Sequence, residues 1–490
     1  MIHPWSRAGL ALCAAVAVFV PVPAPRPARS VYEFRHVTVV DVIHGTLLPD
    51  RNVIVRDNRI IAIRPGVAAA SGDHLINASG RYLIPGLWDM HVHLAMTPDS
   101  MVGMIRRARE IYFPRYLAAG VTGVRDMGSW LDTITAIRRS VRDGTVLGPR
   151  IVMAGRLLGG KNPWAPLSPH AWVVTSAEEA KLAVDSLQRA GADFIKVHDL
   201  LSRNAYMAIA KAAREARLPL VGHLRPDVPV ADVIAAGQVG FEHVGIELAA
   251  GCTNADTTRA RAFYGAWIAH GWKAFVDETA SIWADRDAGR CAAMFGQMRE
   301  AGVRLTPTFV LRMQDSAMTF GQDELIASNA VNCRTAQGGW GALPDTLRAK
   351  YYRIEREIVR AAHDAGVAVM IGTDGPEWCL APGISVIREM RELARAGLQP
   401  IDVLRAATLE PARFLKMTDS LGSIEPGKVA DLVLLASNPL ASLDALERPV
   451  GVMSNGRWLD VKALARMRDG ANAAVRAIGT VRTRRAGTTP

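Results

Sequence analysis

Short apolar runs alternate with stretches of helical periodicity through most of the chain, and this alternation predicts parallel βα units. Eight runs read as strands: Leu83–Leu94, Val121–Met127, Arg150–Leu158, Phe194–Asp199, Leu220–Leu224, Gly240–Val244, Val303–Val310 and Val367–Asp374. Such a series suggests an α/β fold, a (β/α)8 TIM barrel over residues 83–419. One helix shows the local logic. Ser176 and Glu179 make a capping box, Ala177 to Ala190 form the helix, and Gly191 stops it. Two connections, Gly245 to Gly302 and Leu311 to Gly366, far exceed ordinary βα loops and contain helical stretches of their own. In a barrel they are expected over the C-terminal mouth, where they would shape access.

The flanks carry a different pattern. Val37 to Val40, Asn52 to Val55 and Ile60 to Ile63 are β-branched runs, the last two joined across the turn pair Asp57-Asn58. Asp431 to Leu435 and Gly451 to Met453 repeat the pattern, with Asn455-Gly456 as a type I′ hairpin signal. Residues 30–82 and 420–462 are therefore expected to meet as one small composite β-sandwich domain. Residues 471–490 carry Arg476, Arg482, Arg484 and Arg485 with no acid and few large apolar groups, which predicts a disordered basic tail.

The first residues change the picture of where the protein works. Arg7 precedes an uncharged apolar run from Gly9 to Val20, followed by small residues and prolines up to Ser30, so residues 1–29 read as a signal peptide cut between Ala24 and Ser30. The run is too short to span a bilayer. A secreted or periplasmic protein without stable membrane insertion is the expectation. Cys13 follows Leu12 rather than a small residue, which does not match a lipid-anchor signal. Export would permit disulfides, but the spacing of Cys252, Cys291, Cys333 and Cys379 leaves their pairing open. Cleavage removes Arg7, Arg26 and Arg29, so the formal charge falls from +11 to +8. The basic residues are scattered rather than gathered in a stripe with aromatics, so no nucleic-acid partner is expected. A homo-oligomer is compatible with the sequence.

The candidate chemistry sits at the ends of the predicted strands. His91-Val92-His93 closes the first, and alternation places both imidazoles on one face. Lys196, His223, His243 and Asp374 occupy corresponding positions on later strands, where barrel enzymes place their ligands. A buried lysine and several imidazoles converging without a metal or an anion would be costly, so the six positions together point to a metal site.

Those segments resemble the amidohydrolase superfamily, in the imidazolonepropionase-like group that also contains Xaa-Pro-type dipeptidases. The resemblance runs from Tyr32 to about Asp460 and rests on Leu-Ile-Pro-Gly-Leu-Trp-Asp-Met-His-Val-His-Leu from residue 83, Gly-Ala-Asp-Phe-Ile-Lys-Val from 191, Gly-Thr-Asp-Gly from 372 and Gly-Ser-Ile-Glu-Pro-Gly-Lys-Val-Ala-Asp-Leu-Val-Leu-Leu from 422. It implies two divalent ions, usually zinc: His91, His93 and Asp374 on one, His223 and His243 on the other. Lys196 would bridge them as a carbamate. It further implies that a metal-bridging hydroxide attacks the substrate carbonyl while Asp374 serves as general base and then acid.

The expected substrate is a small molecule with an amide C–N bond, such as a dipeptide or an N-acyl amino acid. Arg225, two residues beyond His223, and His198, two beyond Lys196, are candidate substrate contacts; the first suits a carboxylate. Glu377 and Trp378, after Asp374, suit a substrate contact or a cap on the following helix equally and are not assigned to the site. A mononuclear deaminase of the superfamily usually carries Glu three residues after the strand-five His, and Pro226 stands there instead. A mononuclear imidazolonepropionase-like cyclic amidase, a lactonase and a noncatalytic metal-binding barrel stay open as alternatives.

Overall fold

The computed structural model describes residues 30–486, apart from 68–69, 71, 97–98, 162–170, 226–227, 254–256, 314–339 and 377–378, and without the side chains of 257–270 and 478–486. Residues 1–29, which the sequence suggested as a signal peptide, and Cys333, Glu377 and Trp378 lie outside these residues.

The N-terminal flank forms β1 (Val31–Asp41), β2 (Thr46–Arg56), β3 (Arg59–Pro65), β4 (His74–Asn77) and β5 (Tyr82–Pro85). The barrel-like part contributes β6 (Leu87–Val92), β7 (Val121–Asp126), β8 (Arg150–Met153), β9 (Leu157–Gly159), β10 (Ala171–Val173), β11 (Ile195–Val197), β12 (Leu220–Gly222), β13 (Gln238–Glu242), β14 (Arg304–Thr306) and β15 (Ala368–Val369). From the other flank come β16 (Leu432–Leu435), β17 (Gly451–Ser454) and β18 (Arg457–Asp460).

The two flanks meet as expected, through antiparallel β5–β16 pairing and an Arg59–Val429 bridge. Their form differs from the sandwich. All eight strands hydrogen-bond into one mixed sheet, because β1 is long and bulged enough for one half to pair β4 and the other β5. Alternation then gives the sheet two jobs. Leu83, Leu432 and Leu434 face a small core with Phe34, Val53 and Met453, while Ile84, Val433 and Val452 face the large core of the barrel helices. Asn455 and Gly456 both take positive φ in the last hairpin, as a type I′ turn requires.

Parallel pairing joins β6–β7–β8 and, separately, β9 with β11 through β15, β10 lying outside β9. Backbone bonds link the first strand to the last: Met90 N donates to Ile371 O and His93 N to Gly375 O, each at 2.8 Å. Several sequence boundaries move. The run from Leu83 splits at Gly86, whose N–H reaches Asp431 in the flank sheet while Leu87 N–H reaches Gly120 at the start of the barrel. The third run breaks between Met153 and Leu157, and the seventh ends at Thr306 because Thr308 is left-handed, φ 54°, and leads into a helical turn Phe309–Arg312. The capping box at Ser176 and Glu179 is present. The first long connection holds helices Ile246–Gly251, Thr257–Ala284 and Ala288–Glu300, the second Asp345–Asp364. Cys252 and Cys291 are joined by a disulfide that ties the ends of the first insertion, and Cys379 is also disulfide-bonded.

The tail corrects an expectation. A helix runs from Val461 to Ala486, and Leu464, Ala471 and Val475 on it are buried where it packs on the turns of residues 108–118. The few apolar groups fall on one face, which composition alone does not reveal. Val475→Asp is predicted to destabilise the protein by at least about 2 kcal/mol in urea unfolding, whereas a disordered tail would tolerate it.

Candidate metal centre

Neighbouring strands set the depth of each ligand. Asp374 N donates to His91 O at 2.7 Å, His243 N to Thr306 O at 2.8 Å and His223 N to Val197 O at 3.1 Å. The approach is close enough to demand glycine: a Cβ on Gly372 would lie 2.4 Å from Thr306 Cγ2 and 2.8 Å from His91 Cβ. At two ligands the backbone breaks alternation. Phe241 faces the large core and Glu242 the opposite side, so His243 would follow Phe241 outward, but φ 66° at His243 turns it back; Asp374 has φ 64°.

The imidazoles are oriented through Nδ1. His91 Nδ1 meets Glu242 Oε2 at 2.9 Å, His93 Nδ1 the Gly128 carbonyl at 2.7 Å, His223 Nδ1 Asp199 Oδ1 at 2.7 Å and His243 Nδ1 Thr308 Oγ1 at 2.6 Å. A carbonyl or carboxylate can only accept, so Nδ1 carries a proton in the first three, and in the neutral ring Nε2 is then the nitrogen with the lone pair. Those Nε2 atoms converge. His91 and His93 reach Asp374 Oδ1 at 3.2 and 3.0 Å, and His223 and His243 face each other, Nε2 to Nε2, at 3.1 Å. Each of these Nε2 contacts needs either a shared proton or a cation between the partners, and a bound metal ion would replace those protons.

Electrostatics agree. Burial pushes His223 and His243 below the ordinary imidazole value, which leaves them neutral, the ligating form. Burial alone would raise Asp374, yet His91 and His93 hold it well below the carboxylate range. Burial pulls the fully buried Lys196 down to about 8, and its Nζ has no hydrogen-bond partner among the described residues. The donor set therefore fits a divalent ion at His91, His93 and Asp374, whose atoms lie within 4.8 Å of one another, with His243 4.9 Å from His91 between ring centroids and His223 against His243.

A second compact group is His198, Asp199 and His223. Asp199 engages Nδ1 of His223, the side away from His243, so it orients the ring instead of sharing its ion. His198 stands against His223, ring centroids 4.2 Å apart. A cavity of about 120 Å³ opens on Asp199, His223 and His243, with Trp272, Phe275 and Arg312 in its wall. Arg225 does not line it. That side chain borders a separate cavity of about 280 Å³ with Arg290 and Gln297, because β12 ends at Gly222 and alternation no longer governs residue 225.

Sequence reading missed the residues behind the ligands. Buried Arg125 donates to Glu242 Oε1 at 2.7 Å and to Met90 O at 2.5 Å, and it lies near the rings of Phe194 and Phe414. Burial would raise Glu242, but Arg125 and His91 hold it to about 2. Asp89 joins the first and last strands by accepting from Thr373 N at 3.0 Å and Thr373 Oγ1 at 2.7 Å. Asp89 two residues before His91, and Glu242 directly before His243, were the available signals.

An amidohydrolase family model matches residues 82–459, most of the chain. The chain belongs to the amidohydrolase family. Its amidohydrolase segment is similar to an imidazolonepropionase of Symbiobacterium thermophilum, 24% identical over 80% of this chain and 85% of that protein. Two solved structures share the fold. A putative prolidase from Bifidobacterium longum has a TM-score of 0.63 at 24% identity, covering 90% of this chain and 99% of its own. A bottromycin amidohydrolase has a TM-score of 0.70 at 22% identity, covering 92% and 91%.

Two substitutions test the centre. Glu242→Gln leaves the buried Arg125 without its counter-charge, so stability should fall by about 3 kcal/mol in chemical denaturation. Zinc affinity in competition titration should fall about 10- to 100-fold as His91 loses its anchor. Lys196 is depressed from 10.5 to about 8, so between those values the unfolded chain holds the proton and the folded chain releases it. The metal-free protein should gain stability as pH rises through that window, with a constant penalty below it; thermal melts in chelator should show the rise, and Lys196→Met should abolish it.

Proposed function

We propose that this protein is a binuclear metal-dependent hydrolase of amide C–N bonds in a small substrate such as a dipeptide or N-acyl amino acid. The observation that carries the reading is Lys196: an amine wholly buried without a hydrogen-bond partner among the described residues, driven toward neutrality among four imidazoles and Asp374. A neutral amine is the form that takes up carbon dioxide, and the resulting carbamate would give His91, His93 and Asp374 on one side and His223 and His243 on the other a shared anionic ligand. Zinc is the ion that this nitrogen-rich set with a carboxylate suits. Ions held there would polarise a carbonyl and supply hydroxide at neutral pH.

The chain's own groups do the rest. Asp374, kept ionised beside His91 and His93, is placed to take a proton from the attacking water and hand it to the leaving amine. Glu242, Gly128 and Asp199 keep three rings protonated on Nδ1, and Thr308 holds the fourth in place. The cavity beside His223 and His243 sets the size of the bound group. Pro226, in place of the acid that deaminases of this family use, favours hydrolysis over deamination. Export to a secreted or periplasmic location is supported by the N-terminal pattern and by the disulfide-bonded Cys252, Cys291 and Cys379.

Metal analysis of the purified protein with a panel of dipeptides, N-acyl amino acids and lactones tests this reading. About two ions per chain and turnover of an amide are expected. Asp374→Asn should lower kcat by about 100-fold or more. One ion per chain in folded, zinc-replete protein, unchanged in Lys196→Ala, would point to the mononuclear alternative.

A further inference from the structure

We propose that Arg312 is the receptor for a free carboxylate on the substrate, which makes the substrate's leaving portion an amino acid with an unblocked C-terminus and an apolar side chain. The inference rests on the hydrolase reading above and extends it to substrate class.

Arg312 shares the wall of the cavity that holds His223 and His243. Its guanidinium lies 5.5 Å from the Tyr351 ring centroid and 5.8 Å from that of Phe275, so two aromatic faces fix its plane. One edge is already used, Nε standing 3.3 Å from Glu355 Oε1. Neither terminal nitrogen has a hydrogen-bond partner among the described residues, which leaves the two-pronged end of a planar cation for an incoming group.

The backbone beneath it is fixed as well. Both oxygens of buried Glu389 accept from the start of its helical turn, Phe309 N at 3.0 Å and Val310 N at 2.9 Å, and Tyr352 Oη donates to Arg312 O at 2.7 Å. The preceding Thr308 is the partner of His243, so one short segment positions a ligand and the arginine together. Burial pushes Glu355 up to about 8, so the nearest carboxyl does not fully neutralise the guanidinium. A carboxylate bound in two-pronged fashion would complete the charge, and Trp272 and Phe275 offer an apolar wall beside it. Arg225, which the sequence suggested for this task, borders another cavity.

The test compares N-acetyl-leucine with N-acetyl-leucinol, which keeps the amide and lacks the carboxylate, and pairs the kinetics with calorimetric binding of leucine and leucinol. Wild type should favour N-acetyl-leucine by about 30-fold or more in kcat/KM and bind leucine at least about tenfold tighter than leucinol. Arg312→Gln should erase both preferences by lowering kcat/KM for N-acetyl-leucine to the level of N-acetyl-leucinol, with metal content unchanged. Arg312→Lys, which keeps the charge and loses the fork, should lose most of the preference and decides the matter if the Gln variant does not fold. A metal-loaded Gln or Lys variant with the wild-type preference, or one that loses both substrates equally, overturns the assignment. Wild type that cleaves neither compound nor any dipeptide of the panel contradicts the hydrolase reading, and the leucine titration then still decides the role of Arg312.

Discussion

Four imidazoles have their Nδ1 atoms committed to fixed partners, and the rest of the site depends on that commitment. With Nδ1 spent on Glu242, Gly128, Asp199 or Thr308, the Nε2 atoms of His91, His93, His223 and His243 come together around Asp374 and around each other. The partners are themselves held. Glu242 answers to Arg125, Thr308 leads directly into the turn that Glu389 caps, and Asp89 clamps Thr373 beside Asp374. An inward-facing set of imidazoles around a carboxylate, with a buried lysine that has no hydrogen-bond partner among the described residues, is a costly arrangement without cations, and a stable one with them.

The architecture supplies the rigidity this requires. Parallel strands place the ligands at successive strand ends, and glycine at 372 lets the last strand close on His91 and Thr306. The flank sheet is more than an appendage, since Ile84 and Val433 on one of its faces pack into the barrel's own core. Chain ends far apart in sequence are thereby tied to the strand that begins the candidate metal site, with Gly86 as the pivot between the two.

Much of this was legible because it depends on local periodicity. Eight apolar runs, the capping box at Ser176 and the Asn455-Gly456 turn needed only short-range pattern, and strand-end position singled out all six candidate ligands. What escaped depends on departures from pattern or on distant partners. A positive φ at His243 and Asp374 breaks the alternation that sequence reading must assume. Arg125 and Glu242 find each other across 117 residues, which spacing does not announce. Arg225 was favoured because alternation was carried past the end of β12, and the C-terminal helix was missed because its apolar residues are few and confined to one face. The flank sheet appeared as two layers since a bulged strand with two parallel partners has no signature of its own.

The most direct test of the central claim is anomalous diffraction at the zinc edge from crystals of the zinc-replete protein. Two peaks are predicted, one among His91, His93 and Asp374 and one at the Nε2 atoms of His223 and His243, with continuous density joining Lys196 Nζ to both. A single peak with an unmodified Lys196, or no peak within reach of these six side chains, would contradict the account.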